Sequence, residues 1–395
     1  MTVKEVMDTW TLQMGYPVIT VHRNEDGSVT LTQNRFLLAN SSDSTSTDKA
    51  KYKWWIPITY TSQSNPSFED TSTKVWMSPS ETTKTIQNAA SGDWIIVNLN
   101  QVGYYRVNYD DKNWKAITEQ LSEDPNVFPG ANRAQFIDDS LNLARAGLLG
   151  YEMPLELLKY LGKEPLFTPL ESALHNLEFL RNMFVYSEGY GSFKNYLLSL
   201  ITPLYDEVKF ADSLDDPHLE QRKRALVLTW ACDLDHEPCV NAAVDLYNQW
   251  MNDPENTNII SPNLKSIVYC TAIRKGGAKE WKFAWDRFMK TNIGTEQKEL
   301  LEALGCTEDI WILGAFGSVG FVLDDIMASI ATALNTNIQL SEMEAFKEKY
   351  KGKFSSAERS VVQATENIKH NIRWMEKYYS VIINWFQQNG YKNDI

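Results

Sequence analysis

The sequence has very little with which to hold a metal. Its 395 residues include only five histidines, His22, His175, His218, His236 and His370, and no two of them stand four apart. An H-E-x-x-H zinc helix is therefore excluded. Cysteine is scarce as well. Cys232, Cys239, Cys270 and Cys306 all lie in the second half and form no C-x-x-C pair, and the neighbouring His236 makes a poor fourth ligand. No cofactor is expected within this chain. Basic charge is also short, with 38 Lys and Arg against 51 Asp and Glu for a net charge of -13. The densest basic run, Arg222-Lys223-Arg224, lies between acidic stretches and reads as a solvated helix face. Nucleic acid, which demands a counterion-releasing basic surface, is not an expected partner. Long apolar runs are missing too. Stretches such as Trp94 to Val97 are too short to cross a bilayer, so no membrane-spanning segment is expected. The opening residues, Met1 to Glu5, contain no apolar signal region. If Met1 is the native start, the expected compartment is the cytoplasm.

What is present is apolar and aromatic. The hydrophobic fraction is 43%, with 13 Trp, 18 Tyr and 16 Phe. This is the composition of an ordered globular chain, long enough for several domains. The four cysteines are compatible with two disulfides, Cys232–Cys239 and Cys270–Cys306, or with four buried thiols. Four cysteines allow three pairings, and spacing alone selects none. Asn40-Ser41-Ser42 is an unblocked glycosylation sequon in a polar stretch, whereas Asn65-Pro66-Ser67 is blocked by its proline.

Three regions follow one another. Residues 3–14 have helical spacing, with Val3, Met7 and Trp10 or Met14 on one face, and Gly15 and Pro17 end the run. A helix this short needs something to pack on, and residues 1–17 read as a helical stub. Residues 18–110 alternate strand-like pieces with turn residues, and Asn24-Glu25-Asp26-Gly27 signals a hairpin. This pattern predicts a small β-sandwich, with Trp54, Trp55 and Trp94 in its core or at a domain contact. From Asp111 to the end the periodicity is helical, with short loops rich in Pro, Gly, Asn and Asp. A succession of amphipathic helices over 111–395 predicts an α-solenoid of the HEAT or ARM kind. The fold class is thus multidomain, β then α: a small sandwich followed by a large superhelical domain.

Several local constellations invite chemistry. His236 and Glu237 stand beside Cys239, with Asp233 and Asp235 near, as a nucleophile with its base would. Pro238 interrupts that arrangement, and a disulfide-stapled surface loop explains it better. Asp138-Asp139 and Asp324-Asp325 resemble paired acid–base carboxylates, but adjacent helix positions diverge by about 100 degrees, so neither doublet makes a site alone. Gly314 to Gly320 is glycine-rich but lacks the Lys of a phosphate loop.

Six stretches carry a family likeness: VMDTWTLQMGYPVITV (6–21), WIIVNLNQVGYYRVNYD (94–110), NRAQFIDDSLNLA (132–144), SPNLKSIVYCTAI (261–273), EWKFAWDRF (280–288) and NIRWMEKYYSVIINWF (371–386). In that order they resemble the C-terminal portion of M1-family zinc aminopeptidases. The resemblance implies that residues 1–17 correspond to the end of a catalytic domain, 18–110 to the sandwich and 111–395 to the aminopeptidase C-terminal helical domain. It implies the disulfides Cys232–Cys239 and Cys270–Cys306, and an extracellular or cell-surface setting. The family's zinc ligands, amine clamp and catalytic tyrosine lie upstream of these residues, so no catalytic or metal role transfers to any of them. Zinc would belong to a catalytic domain that these residues do not include. After Leu313 the chain departs from the family, and roughly forty to fifty residues, two or three helices of a solenoid, are missing. The expected function is a non-catalytic binding, assembly or dimerisation module. Its expected partner is an aminopeptidase catalytic domain or a second copy, with a peptide or protein ligand as a further option. The alternative is a regulatory or decoy protein that pairs with a full-length enzyme; an independent hydrolase is the least supported reading.

Overall fold

The fold is described from a computed structural model covering residues 1–38, 52–213, 215–308, 331–352, 354 and 358–393. It forms two compact units. The first comprises Met1–Leu180 with Lys377–Trp385, and the second Arg181–Glu376 with Phe386–Ile395. Division by compactness thus falls at residue 180, whereas the change from strands to helices falls near residue 110.

The first unit opens with α1 (Val3–Thr11), whose start is fixed by reciprocal bonds between Thr2 and Glu5. Among the described residues eight short strands follow: β1 (Pro17–Arg23), β2 (Val29–Arg35), β3 (Ile56–Ile58), β4 (Tyr60–Ser62), β5 (Val75–Met77), β6 (Thr83–Ile86), β7 (Ile95–Val97) and β8 (Arg106–Tyr109). They form a four-stranded sheet in the order β6-β2-β1-β8 and two ribbons, β3–β5 and β4–β7. β1 and β2 make the expected hairpin, with Arg23 opposite Val29 and Gly27 at φ 78°, where a side chain would be strained. β8 returns parallel to β1, so consecutive residues 106–109 lie beside 18–21. β6 is a strand that the alternation in the sequence does not reveal, because its exposed edge is polar. Inward positions Ile19, Val21, Leu31, Ile56, Ile58 and Val107 are fully buried, as are Trp54 and, nearly so, Trp94. Trp54 and Trp94 are core residues, whereas Trp55 is half-buried, and burying a large apolar side chain contributes about 1.5–3 kcal/mol. Buried Gln33 ties the pieces together, donating to Ser78 and Glu81 and accepting from the Trp54 backbone.

Helices α2 (Asp111–Glu123), α3 (Gly130–Arg145), α4 (Glu152–Leu157) and α5 (Phe167–Phe184) continue from the sheet. Asp110 caps α2 through the Asn113 N–H and also accepts from the Arg23 N–H, which joins the helix start to β1. In α3, Arg133 is 3% exposed and forms a two-pronged pair with fully buried Glu164, at 2.7 and 2.8 Å.

The second unit contains α6 (Tyr190–Val208), α7 (His218–Asp233), α8 (Glu237–Asn252), α9 (Lys265–Lys275), α10 (Ala278–Lys290), α11 (Gly294–Leu304), α12 (Asn337–Lys349) and most of α13 (Glu358–Gln388). From α6 to α11 each helix packs on its neighbours in sequence, the nearest-neighbour contact pattern of a solenoid. Aromatic rings fill the gaps: Trp250 stacks on Tyr269 at 4.8 Å and meets Phe283 edge-on at 4.8 Å. Cys232–Cys239 joins the end of α7 to the first turn of α8, and Cys270–Cys306 joins α9 to the residue beyond α11. The Arg222–Arg224 run is a solvated face only at Arg222, which is exposed. Lys223 is 1% exposed and paired with Glu207, and Arg224 is held by Asp212 and Asp216. Acidic neighbours distant in sequence neutralise what the local pattern presents as free charge.

Candidate interaction surface

The residues proposed for chemistry occupy structural positions. Cys239 is spent in its disulfide, and Pro238 sits in the first turn of α8. The His236 ring lies 4.5 Å from Tyr205. Asp138 and Asp139 do converge, both accepting from Nη1 of Arg106 at 2.6 and 3.0 Å. Asp139 also accepts from the Val107 N–H, so the doublet clasps α3 to β8. Burial pushes the Asp139 carboxyl up to about 7, against the opposing pull of Arg106 and the Val107 amide. Asn40, Asp324-Asp325 and Gly314 to Gly320 lie outside the described residues. Among the described residues, no group of three or more His, Cys, Asp or Glu is arranged to hold a metal, and no helix is long and apolar enough to cross a membrane. His22, Arg23, Glu25, Asp110, Asp111 and Lys112 help to line a depression of about 570 Å³, but its charges are mixed in sign.

The distinctive surface of the first unit is apolar. Helix α1 is bolted to the sheet largely by its polar edge. Thr9 accepts from the Trp55 N–H at 3.2 Å, Trp10 Nε1 donates to the Trp55 carbonyl at 3.0 Å, and Gln13 exchanges two bonds with Lys53. Burial holds the Lys53 amine below its ordinary pKa. Helix α1 has no fully buried residue, and Val3 is 80% and Met7 49% exposed. Leu12 and Met14, just past its end, are 77% and 70% exposed. An amphipathic helix ordinarily turns such side chains to a core.

Beside α1, the connection from β7 to β8 is built to hold two more apolar side chains outward. Asn98, Asn100 and Gln101 all adopt positive φ, at 67°, 51° and 55°. Non-glycine residues enter this region at a cost and remain there only when their surroundings fix them. Here the fixing is explicit. Fully buried Asn98 donates to the carbonyls of Gly103 and Tyr105 and accepts from the Gly103 N–H. Asn100 is held by Asn132 of α3 and by the Phe68 carbonyl. Gly103 is required by space, because a β-carbon there would lie 2.2 Å from the Tyr105 ring. Tyr105 turns inward and donates to the Pro57 carbonyl, and burial raises its hydroxyl pKa. Val102 and Tyr104 are left 57% and 72% exposed. Tyr104 leans on Tyr16 at 5.1 Å and on Trp10 at 6.5 Å, which makes loop and helix one continuous surface.

The apolar stripe of α1 is legible in the sequence. Tyr104 was not singled out there, although counting outward from Val107 in steps of two puts Tyr105 inside and Tyr104 outside. The left-handed asparagines leave no comparable trace.

Comparison with known proteins gives this surface a context. The family described as ERAP1-like C-terminal domain matches residues 94–317. Aminopeptidase N of Rattus norvegicus is 34% identical, covering 98% of this chain and 45% of the relative. Aminopeptidase N of Homo sapiens is 31% identical with the same coverage. Aminopeptidase Ey of Gallus gallus is 30% identical over 97% of this chain and 44% of the relative. The chain therefore spans less than half the length of these curated relatives. The rat alignment runs for 441 positions against a chain of 395 residues, so at least 46 positions have no residue here. That shortfall has the size expected after Leu313; residues 309–330 lie outside the described set, and the family match ends nearby at residue 317.

Proposed function

The chain belongs to the family of ERAP1-like C-terminal domains, and from that premise we propose that it is a docking module for the catalytic part of an M1 aminopeptidase. These 395 residues contain no zinc-binding catalytic domain. Their role in this reading is to assemble with one through Val3, Met7, Leu12, Met14, Val102 and Tyr104. The observation that carries the proposal is the outward apolar edge of α1, continuous with a loop held in three positive-φ conformations to present Tyr104. Contiguous exposed apolar surface marks an interaction site, and a rigid tyrosine at its centre is a suitable anchor. The occupant follows from length. More than half of each relative has no counterpart in this chain, and the surface joins the segment 3–14, at the start of the matched residues, to the loop 98–104. The three-part division at 17 and 110 belongs to the same proposal, with 1–17 as the stub nearest that missing part. The two disulfides support an oxidising, extracellular setting.

The test is to mix the purified chain with the unmatched portion of an aminopeptidase N relative and follow the mass by sedimentation velocity. A one-to-one complex that Met7→Asp with Tyr104→Asp abolishes is the expected result. A self-associating chain whose dimer is lost in the same variant would assign the surface to a second copy instead. A monomer that binds nothing would overturn the proposal.

A further inference from the structure

In the second unit, two carboxylates on the disulfide-closed turn between α7 and α8 each receive two cations. Asp233 accepts from Arg181 at 3.2 Å and from Arg274 at 2.8 Å, one on each oxygen. Asp235 is contacted by Lys194 at 2.8 Å and by Lys275 at 2.7 Å, again one on each oxygen. The cations come from α5, α6 and α9 and converge on one turn. Here four positive charges meet two negative ones, so two remain uncompensated within the cluster. Donor capacity remains as well. Arg181 and each lysine spend one donor atom or proton on these contacts, while Arg274 spends Nη1 on Asp233 and Nη2 on the Cys232 carbonyl and buries its Nε.

The cluster is open enough to be reached. The side chains of Arg181 and Lys275 are 31% and 32% exposed, and Asp235 is 41% exposed. It lies at the first turn of α6, which carries Tyr190 and Lys194 and has no side-chain cap. Uncapped N–H groups there add partial positive charge. Burial raises the Tyr190 hydroxyl pKa, and the charges of Arg181, Asp235, Asp233 and Arg274 all act on it, which places the ring among them. The turn itself is fixed by Cys232–Cys239, so the carboxylates cannot swing away from the cations without straining a closed loop.

We propose that Arg181, Lys194, Arg274 and Lys275 form a binding site for a small oxyanion, the carboxylate or phosphate group of a ligand, over the Cys232–Cys239 turn. The proposal does not depend on the apolar surface of the first unit. Planar arginines and flexible lysines suit oxyanions whose oxygens accept several bonds at once.

The probe is inorganic phosphate, titrated calorimetrically into the full chain at constant ionic strength. Saturable one-to-one binding is expected. It should weaken about tenfold in Arg181→Gln and more in Lys194→Gln with Lys275→Gln, as the loss of charge-assisted bonds implies. Circular dichroism and disulfide content check that each variant is folded, and the single Arg181→Gln change decides the matter if the double variant is not. A second arm adds a short acetylated alanine peptide, as free acid and as amide. Competition by the acid alone would identify a peptide carboxylate as the source, and absence of competition would leave free phosphate as the ligand. Absence of saturable phosphate binding, or equal affinity in folded Arg181→Gln, would overturn the site.

Discussion

Asn98→Ala should destabilise the sheet-containing unit by about 4 kcal/mol, and Asn98→Gly by about 1 kcal/mol less. The Asn98 side chain makes three hydrogen bonds inside its own loop, at 2.9, 3.3 and 2.8 Å, and is fully buried. Each is worth about 1 kcal/mol net, so both variants lose about 3 kcal/mol. Alanine must also hold φ at 67°, which adds about 1–2 kcal/mol that glycine escapes. Glycine returns part of that difference through the larger entropy of its unfolded chain, about 0.4–1 kcal/mol. Because the molecule has two compact units, a single global transition is not the right readout. Amide exchange of β7 and β8, under native conditions, reports the local free energy. Both variants should also weaken docking, because Val102 and Tyr104 lose the frame that holds them outward. If alanine and glycine lose equally, or if alanine loses less than about 1 kcal/mol, the loop is not a strained platform.

Glu164→Ala should cost about 3–5 kcal/mol, measured by native-state amide exchange of α3, because it leaves the Arg133 guanidinium buried without its carboxylate. A loss below about 1 kcal/mol would mean that water reaches the site. For the disulfides, closed-loop entropy gives about 4 kcal/mol for the 36-residue separation of Cys270–Cys306 and about 2 kcal/mol for the seven of Cys232–Cys239. Paired serine variants should rank in that order in thermal melts, and the reverse ranking would show native strain or residual structure to dominate. Asp139 titrates near 7 when folded against 3.8 for the ordinary side chain, so the folded chain binds the extra proton between those values. This group's contribution to stability is therefore full below about pH 4 and is lost as pH rises through about 7. Asp139→Asn should flatten that part of the stability–pH curve, and an unchanged slope would refute the assignment.

Regular periodicity made most of the fold legible. In α10 the alternation of Trp281, Ala284 and Trp285 with charged residues shows an amphipathic helix directly. β6 went unread because Thr83-Lys84-Thr85-Ile86 offers one buried residue, and its strand character comes from pairing with β2. The same reason hides Arg133–Glu164 and the Asp233–Asp235 cluster. Each joins residues from separate elements, and a charged side chain reads locally as solvated until its partner arrives from elsewhere in the fold. The proposed docking surface is half visible: apolar α1 residues announce themselves, but the bonds that hold Thr9, Trp10 and Gln13 inward leave no trace in the sequence.

The most direct measurement is hydroxyl-radical footprinting of Met7, Met14 and Tyr104 in the chain alone and after addition of the unmatched portion of an aminopeptidase N relative. The account predicts ready oxidation of all three in the free chain and joint protection in the mixture, with exposed Tyr186 of the second unit unchanged. Oxidation of Met7 and Tyr104 at the same rate in both samples would contradict the assignment of this surface as the docking site.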